Sequence, residues 1–548
     1  MPLVTIDGHP VSVEPDTLII QAADRAGIEI PRFCYHPDLR PEGNCRMCLV
    51  HVKGFARLTP ACATPVADDM VVSTAHQHDE VREATKGVLE FLLINHPLDC
   101  PICDQAGECS LQDFYLHPDY GLHHSDVDPQ EKVRKRKALN LGPIYLDSER
   151  CVMCSRCVRF SNEVSGAGEL QFVQRGNQVE IEAFEDRALQ DPYAGNLADV
   201  CPVGALTSRD FRFKRRVWFL RHANSICAGC STGCNVRIDY TDSTIDRVVP
   251  RRNPMVNKSW MCDEGRLSYH SAQDWPRVTT PLRRKEASLQ PVSWDEAMAA
   301  IQEGIQPLHD KVSAVAASPM ATNETLWLLR ECANTILAPA EFDFRVQGDN
   351  PDVHAREDGL LRRFDKAPNS QGALLLGMAG GRGIAAMART AEGSGLGVAV
   401  ILHYSPVVGP NDDARLKALA RLIRAAAFSI VLTNEAADWW DGADIVLPVA
   451  SWSEEEGTYT NFASITQHVE AAITPPGLAR PAWQVLLDLL PETALGPRFT
   501  SVRDVFDRGV GSVTAFEGLQ YAALASRKAT VYPPEGRVSY GQEGFAGR

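Results

Sequence analysis

Fifteen of the 16 cysteines in this 548-residue chain fall between Cys34 and Cys262, in four groups that each contain a C-x2-C pair. No other feature constrains the fold as strongly. In a compartment that keeps thiols reduced, such clustering reads as metal ligation, with disulfides as the alternative. The most compact group is His96-Pro-Leu-Asp-Cys100-Pro-Ile-Cys103-Asp-Gln-Ala-Gly-Glu-Cys109, with ligand candidates spaced by four, three and six residues. It supplies four soft donors in fourteen residues. Taken alone it fits a structural zinc site as well as an iron–sulfur cluster.

The remaining groups follow the chain. Leu3–Ile6 and Val11–Val13 flank Asp7-Gly8, which predicts a hairpin because a type I′ turn needs positive φ. Asp16 is placed to cap a helix with apolar residues at 18, 19, 22, 23 and 26, and Gly27 to end it. Cys34, Cys45, Cys48 and Cys62 follow with the spacing C-x10-C-x2-C-x13-C. Hairpin, helix and cysteine loop resemble the β-grasp ferredoxin fold with its [2Fe–2S] cluster. The first gap exceeds that of the plant-type C-x4-C-x2-C run, and a four-cysteine zinc site competes locally. A second helix is predicted from about Asp79 to Asn95, with Val81, Ala84, Val88 and Leu92 on one side, delivering the chain to His96.

Cys151-x2-Cys154-x2-Cys157 is a ferredoxin run whose tight turns aim successive thiolates at one cubane. Position 160 is Phe, so the fourth ligand comes from Cys201-Pro202, 44 residues later. This resembles a two-cluster bacterial ferredoxin with one cluster lost. The last group, Cys227-x2-Cys230-x3-Cys234 with Cys262, resembles the N-terminal cluster domain of molybdopterin oxidoreductases, with short strands at Arg237 and Arg247. From about 277 onward grouped ligands cease. Apolar runs at Ala314–Ala317, Ala373–Gly377, Val398–Leu402, Ile430–Leu432 and Ile445–Val449 alternate with helical patterns, notably Glu324–Ala338 and Asp412–Ala426. Alternation of this kind implies a parallel sheet covered on both faces. Gly377–Gly383 follows a predicted strand and reads as an ordinary Gly-rich turn before a phosphate cradle. The tail after Ser526 reads as loose or wrapped on a neighbour.

A net charge of -15 argues against nucleic acid as a partner. The Lys132–Lys137 and Arg212–Arg221 clusters read as solvated faces or partner contacts. The start lacks a basic region followed by an apolar run, and no stretch reaches 18 consecutive apolar residues. Any membrane role therefore runs through partner subunits.

The ordered set of motifs resembles the large iron–sulfur G subunit of bacterial respiratory complex I. The resemblance is most specific in "NHPLDCPICDQAGECSLQD" and "CVMCSRCVRF", and extends to "DIVLPVASWSEEEGTYTN". It implies a multidomain α+β and α/β chain. The domains expected are a β-grasp [2Fe–2S] ferredoxin domain at 1–78 and a His/three-Cys [4Fe–4S] domain at 79–119. A bacterial-ferredoxin-like [4Fe–4S] domain at 139–210 and a [4Fe–4S] domain of the molybdopterin-oxidoreductase type at 220–276 follow. A shortened molybdopterin-oxidoreductase-like α/β region at 277–548 completes the chain. The resemblance further implies one [2Fe–2S] cluster on Cys34, Cys45, Cys48 and Cys62. Three [4Fe–4S] clusters are implied on His96, Cys100, Cys103 and Cys109, on Cys151, Cys154, Cys157 and Cys201, and on Cys227, Cys230, Cys234 and Cys262.

By the same resemblance, electrons from NADH enter through a flavin on a partner, the NADH/FMN-binding subunit. They cross the binuclear centre, the Cys151 centre and the His96 centre, and leave to a small ferredoxin-like subunit and the quinone-module subunits. The Cys227 centre lies off that path in the family. The assembly is a proton-translocating NADH:quinone oxidoreductase, peripheral on the cytoplasmic side of the bacterial inner membrane. No complete active site is expected on this chain. No molybdenum cofactor is expected either, since the only spare cysteine, Cys332, lies on a buried helical stripe. His96 either raises the potential of its cluster by replacing an anionic thiolate or is simply the ligand the fold permits. The rivals are the catalytic subunit of an NAD-linked formate dehydrogenase, the diaphorase part of an NAD-linked hydrogenase, and a zinc-stabilised scaffold.

Overall fold

The computed structural model describes residues 1–121, 133, 135–137, 139–184, 187–337, 339–409, 412–491 and 494–526. The tail expected to be loose or wrapped on a neighbour lies outside these residues. The chain divides into two compact units, Met1–Leu220 and Arg221–Arg548.

The first unit opens with β1 (Leu3–Ile6) and β2 (His9–Ser12), antiparallel with Ile6 opposite His9. Asp7 and Gly8 make the two-residue turn at φ 48° and 85°, as a type I′ hairpin requires. Helix α1 (Ile19–Arg25) buries Ile19, Ile20, Ala22 and Ala23. Its cap differs from expectation. Asp16 sits in the left-handed region at φ 63°, and the helix starts from Leu18, whose amide donates to Gln21 Oε1. Gly27 closes it at φ 71°, and the Ile28 amide reaches back to the Ala23 carbonyl. Strands β3 (Leu49–Val52), β4 (Thr59–Pro60) and β5 (Met70–Ser73) complete a sheet of order β2-β1-β5-β3-β4, with β1 and β5 parallel.

Helix α2 (Asp79–Leu93) buries Val81, Thr85 and Leu89. The predicted stripe is thus rotated, because the Thr85 hydroxyl satisfies itself on the Val81 carbonyl and can be buried. Helix α3 (Ser110–Tyr115) follows the His96–Cys109 stretch. Strands β6 (Leu139–Asn140) and β7 (Ile144–Leu146) precede α4 (Arg156–Arg159), which runs on into a π turn at Phe160–Val164. Strands β8 (Leu170–Val173) and β9 (Glu180–Ala183) form a hairpin. Helix α5 (Asn196–Val200) delivers Cys201, and β10 (Leu206–Ser208) pairs with β7.

The second unit begins with an antiparallel sheet of β11 (Arg221–Ile226), β12 (Asn235–Thr241) and β13 (Thr244–Pro250), followed by α6 (Asp263–Asp274). A hairpin, β14 (Leu282–Lys285) and β15 (Ser288–Pro291), leads to α7 (Trp294–Ile305), capped by a Ser293/Glu296 box. Next come β16 (Ser313–Ala316), α8 (Asn323–Ile336), β17 (Ala340–Asp343), α9 (Ser370–Leu375), α10 (Ile384–Ser394), β18 (Leu396–His403), α11 (Asp413–Ala425), β19 (Ala426–Thr433) and β20 (Ile445–Pro448). These give a seven-stranded sheet of order β15-β14-β20-β19-β18-β16-β17, parallel from β20 to β17. Every residue of β18 is buried, as in a parallel strand covered on both faces.

One predicted strand fails. Residues 370–375 are helical, and an apolar run this short carries no periodicity that separates helix from strand. The Gly-rich turn after it is occupied by its own chain: the Gly383 amide donates to Asp343 Oδ2 and the Gly380 amide to the Phe342 carbonyl. Among the described residues no helix is long and apolar enough to cross a membrane.

Candidate metal centres

The first group is assembled by the β-grasp loop. Cys34, Cys48 and Cys62 are buried and Cys45 half-buried, all free thiols within the hydrophobic core of the first unit. The Cys34 amide donates to Cys45 Sγ at 3.4 Å. Hydrogen bonds from Cys45 and Cys62 hold the Cys34 thiol below its ordinary value, while Cys62, bonded to Cys34 and Cys48, is pushed up. The fold thus places the four sulfurs within reach of one another.

His96, Cys100, Cys103 and Cys109 line one cavity of about 280 Å³, with Leu98, Tyr115 and Leu116 at its rim. Leu98 and Leu116 are 78% and 72% exposed, so this site faces outward. Burial pushes the Cys109 thiol up to about 11. Gly204 is required here, because a Cβ at that position would lie 2.3 Å from Cys103 Sγ. Arg216 donates to the Cys103 carbonyl at 2.5 Å and to that of Pro101. Arg150, buried, is held by Asp99 at 2.7 Å. The Arg212–Arg221 cluster is therefore only partly a solvated face: Arg216 braces this loop, and Arg212 stacks on Tyr145 and Phe213.

Cys151, Cys154, Cys157 and Cys201 line one small pocket with Leu146, Ile181 and Val203. Met153 and Ser155 hold φ of 52° and 65°, which turns the C-x2-C-x2-C run back on itself. Burial raises Cys151 to about 12 and Cys154 to about 11.

Two arginines stitch this loop to the first. Arg156 donates to the Tyr35 carbonyl at 2.6 Å and the Val200 carbonyl at 3.3 Å. Arg159 donates to the carbonyls of Cys34 and Arg40 and pairs with Glu42 at 2.8 Å. Burial lowers Arg156, while the sulfurs of Cys154, Cys201 and Cys34 all act to raise it. Its charge therefore lies within reach of both groups.

In the second unit, Cys227, Cys230, Cys234 and Cys262 line one small pocket. The amides of Gly229 and Gly265 donate to Cys227 Sγ and Cys262 Sγ, both at 3.4 Å. A Cβ at Gly265 would lie 2.8 Å from Cys227 Sγ. Burial pushes Cys262 up to about 12. Cys332 stands apart, buried in α8, its thiol donating to the Leu486 carbonyl at 3.1 Å.

These donor sets fit iron–sulfur clusters. Thiols that burial pushes up, as at Cys109, Cys151, Cys154 and Cys262, ionise against bound positive charge, and no set has a disulfide among its members. The sequence reading missed Gly204, Gly265 and the bracing arginines. Gly204 follows Cys201-Pro by two residues, so its proximity to a fourth-ligand motif was the available signal.

Family models match in the same order. They are a 2Fe-2S iron-sulfur cluster binding domain at 3–77 and an NADH-ubiquinone oxidoreductase-G iron-sulfur binding region at 86–125. The ferredoxin-like domain of NADH-quinone oxidoreductase subunit 3 matches 142–207, and an NDSU1/NuoG-like 4Fe-4S domain matches 220–270. Molybdopterin oxidoreductase matches 357–491. The NADH-quinone oxidoreductase G subunit of Streptomyces coelicolor is 37% identical over 411 residues, 74% of this chain and 46% of that protein. That of Rickettsia bellii is 40% identical over 328 residues, 60% and 47%. The mitochondrial NADH-ubiquinone oxidoreductase 78 kDa subunit of Neurospora crassa is 40% identical over 339 residues, 61% and 44%. The chain thus spans about half the length of the curated relatives it matches.

Proposed function

The chain belongs to the family of NADH-quinone oxidoreductase G subunits, and on that premise we propose that it is an electron-carrying iron–sulfur subunit of a proton-translocating NADH:quinone oxidoreductase. The observation that carries this reading is the set of four-donor groups in family order along the chain. One [2Fe–2S] cluster belongs to Cys34, Cys45, Cys48 and Cys62. Three [4Fe–4S] clusters belong to the His96, Cys151 and Cys227 groups. When bound, such clusters supply one-electron carriage with charge spread over iron and sulfur.

The chain's own residues do the rest. Amides of Cys34, Met153, Gly229 and Gly265 donate to ligand sulfurs and favour their anionic form. Arg150, Arg156 and Arg159 place positive charge beside the ligand loops. Leu146, Ile181 and Val203 line the Cys151 group, and Met261, Leu361 and Val408 the Cys227 group. The His96 group differs in its open rim of Leu98 and Leu116, which suits a surface where an electron passes to another subunit. The partners are the NADH/FMN-binding subunit upstream and the small ferredoxin-like and quinone-module subunits downstream. The chain lies on the cytoplasmic side of the bacterial inner membrane and reaches the bilayer only through them. The domain divisions at 1–78, 79–119, 139–210, 220–276 and 277–548 belong to the same proposal.

The residues after 277 do not fit a molybdenum cofactor. Cys332 is spent on the Leu486 carbonyl, and the Gly383 amide is spent on Asp343. We therefore assign that region no molybdenum chemistry, and elemental analysis finding stoichiometric molybdenum would overturn the assignment.

Purification from membranes followed by an NADH:quinone assay tests the whole reading. The chain is expected to travel with an NADH/FMN-binding subunit, and Cys157→Ser is expected to abolish quinone reduction. Isolation with formate dehydrogenase or hydrogenase activity instead would contradict it.

A further inference from the structure

One ligand-type cluster in the first unit belongs to none of the four groups. His76 lies in the link between β5 and α2, and His117 and Asp119 lie in the turn after α3. One donor atom from each falls within 4.8 Å of the other two. His76 Nδ1 is 2.7 Å from Asp119 Oδ2. The Asp119 amide donates to His117 Nδ1 at 3.2 Å, so the turn itself holds these two residues together.

The scaffold under the cluster is firm. The His117 ring stacks on Tyr120 with centroids 3.8 Å apart and planes 5° apart. Tyr120 is fully buried and belongs to the core that also contains Cys34, Cys62 and Cys109. The His76 ring lies 5.5 Å from that of His117, tilted toward it. The His76 and Asp119 side chains are 30% and 42% exposed, so an ion can reach them from solvent. Hydrogen bonding from His76 holds the Asp119 carboxyl below the usual carboxylate range, leaving it ionised.

We propose that His76, His117 and Asp119 form a binding site for a divalent cation of the zinc class. Two imidazoles and one carboxylate are the donor set that zinc accepts with water in a fourth position. Magnesium and calcium favour all-oxygen sites and are not the expected occupants. One donor comes from before α2 and two from after α3. A bound cation therefore ties the end of the β-grasp sheet to the far end of the His96–Cys109 stretch. Its role is that of a clip between two ligand-bearing segments, with no part in electron carriage.

The test uses the iron-loaded chain, because empty cysteine groups would themselves take zinc. Protein equilibrated with micromolar free zinc is desalted, and zinc and iron are measured together. One zinc per chain is expected, with iron unchanged. His76→Ala and His117→Ala are expected to weaken zinc binding by at least about tenfold. The near-isosteric Asp119→Asn is expected to do the same, and undiminished iron in each variant shows that the fold is kept. X-ray absorption at the zinc edge should show nitrogen and oxygen neighbours only. No zinc retained by the wild-type chain, equal retention by all three variants, or sulfur in the zinc shell would each overturn the site.

Discussion

Two hydrophobic cores in this molecule are built differently. The core of the first unit includes Cys34, Cys48, Cys62, Cys109 and Cys154 among its apolar residues, with Cys45, Cys151 and Cys201 packed against it. The core around the parallel sheet, from Val278 to Val446, contains no cysteine. It is closed by Ile384, Met387, Leu419 and Leu422 from α10 and α11 over β16, β18 and β19. The first core holds buried thiols that the proposed clusters would satisfy. The second needs only side-chain packing and backbone hydrogen bonds. On the proposed ligand assignment, cluster loading and folding are expected to be one event in the first unit and separate events in the sheet region.

Stripping the clusters anaerobically breaks or sustains that contrast most forcefully. Amides of β1, β3 and β5 are expected to lose most of their exchange protection, while β18 and β19 keep theirs. Equal loss in both regions, read by hydrogen exchange with mass spectrometry, would show that the two cores are not independent. Cys157→Ser is a local version of the same experiment: the Cys151 group should lose its iron, and the sheet should be unaffected.

The next effect comes from acids buried beside the sheet. Burial pushes Glu324 to about 8 and Glu455 to about 7. Glu455 accepts from the Thr325 and Tyr404 hydroxyls, and Glu324 accepts from the Thr458 amide and hydroxyl. Their folded values exceed the unfolded carboxyl value of 4.5. Their contribution to stability is therefore full below about 4.5 and lost as pH rises through about 7 to 8. The second unit should lose a few kcal/mol over that window, read by denaturant titration at several pH values. Glu455→Gln should flatten the slope; an unchanged slope would show that these acids ionise without cost.

Arg156→Gln probes the thiol-rich core alone. Removing a positive charge near both ligand groups disfavours the added electron at each. Reduction should become about tenfold less favourable, a midpoint lowered by about 59 mV for one electron. EPR-monitored titration reads both centres at once, and a shift at neither would remove Arg156 from the electrostatics. The smallest effect is expected at Cys332→Ser. It trades one weak donor to the Leu486 carbonyl for another, at a cost of about 1 kcal/mol by thermal melting with no loss of iron. Loss of iron there would break the distinction between a packing cysteine and a ligand cysteine.

Local chemistry is what the sequence made legible. Asp7-Gly8 announced its turn because positive φ selects those residues, and the four cysteine groups announced themselves by spacing. The strands at 396–403, 426–433 and 445–448 were visible because a parallel sheet buries both faces. Long-range partners were not visible. Nothing local tells that Arg216 reaches the Cys103 carbonyl, or that Gly204 must lack a Cβ to leave room for Cys103 Sγ. Asp16 looked like a helix cap because its residue type is right, yet the bend at φ 63° moves the start to Leu18. The apolar run Ala373–Gly377 reads as a strand, yet residues 370–375 form a helix, because a run this short holds too few turns to show a period.

The central claim is that the four donor sets each hold an iron–sulfur cluster. Redox-titrated EPR of the anaerobically purified chain, with iron and acid-labile sulfide measured on the same sample, tests it most directly. A brown protein is expected, with one binuclear signal and tetranuclear signals from three sites, the His96 signal vanishing alone in Cys100→Ser. A colourless protein carrying stoichiometric zinc in the cysteine groups and no EPR signal on reduction would contradict it.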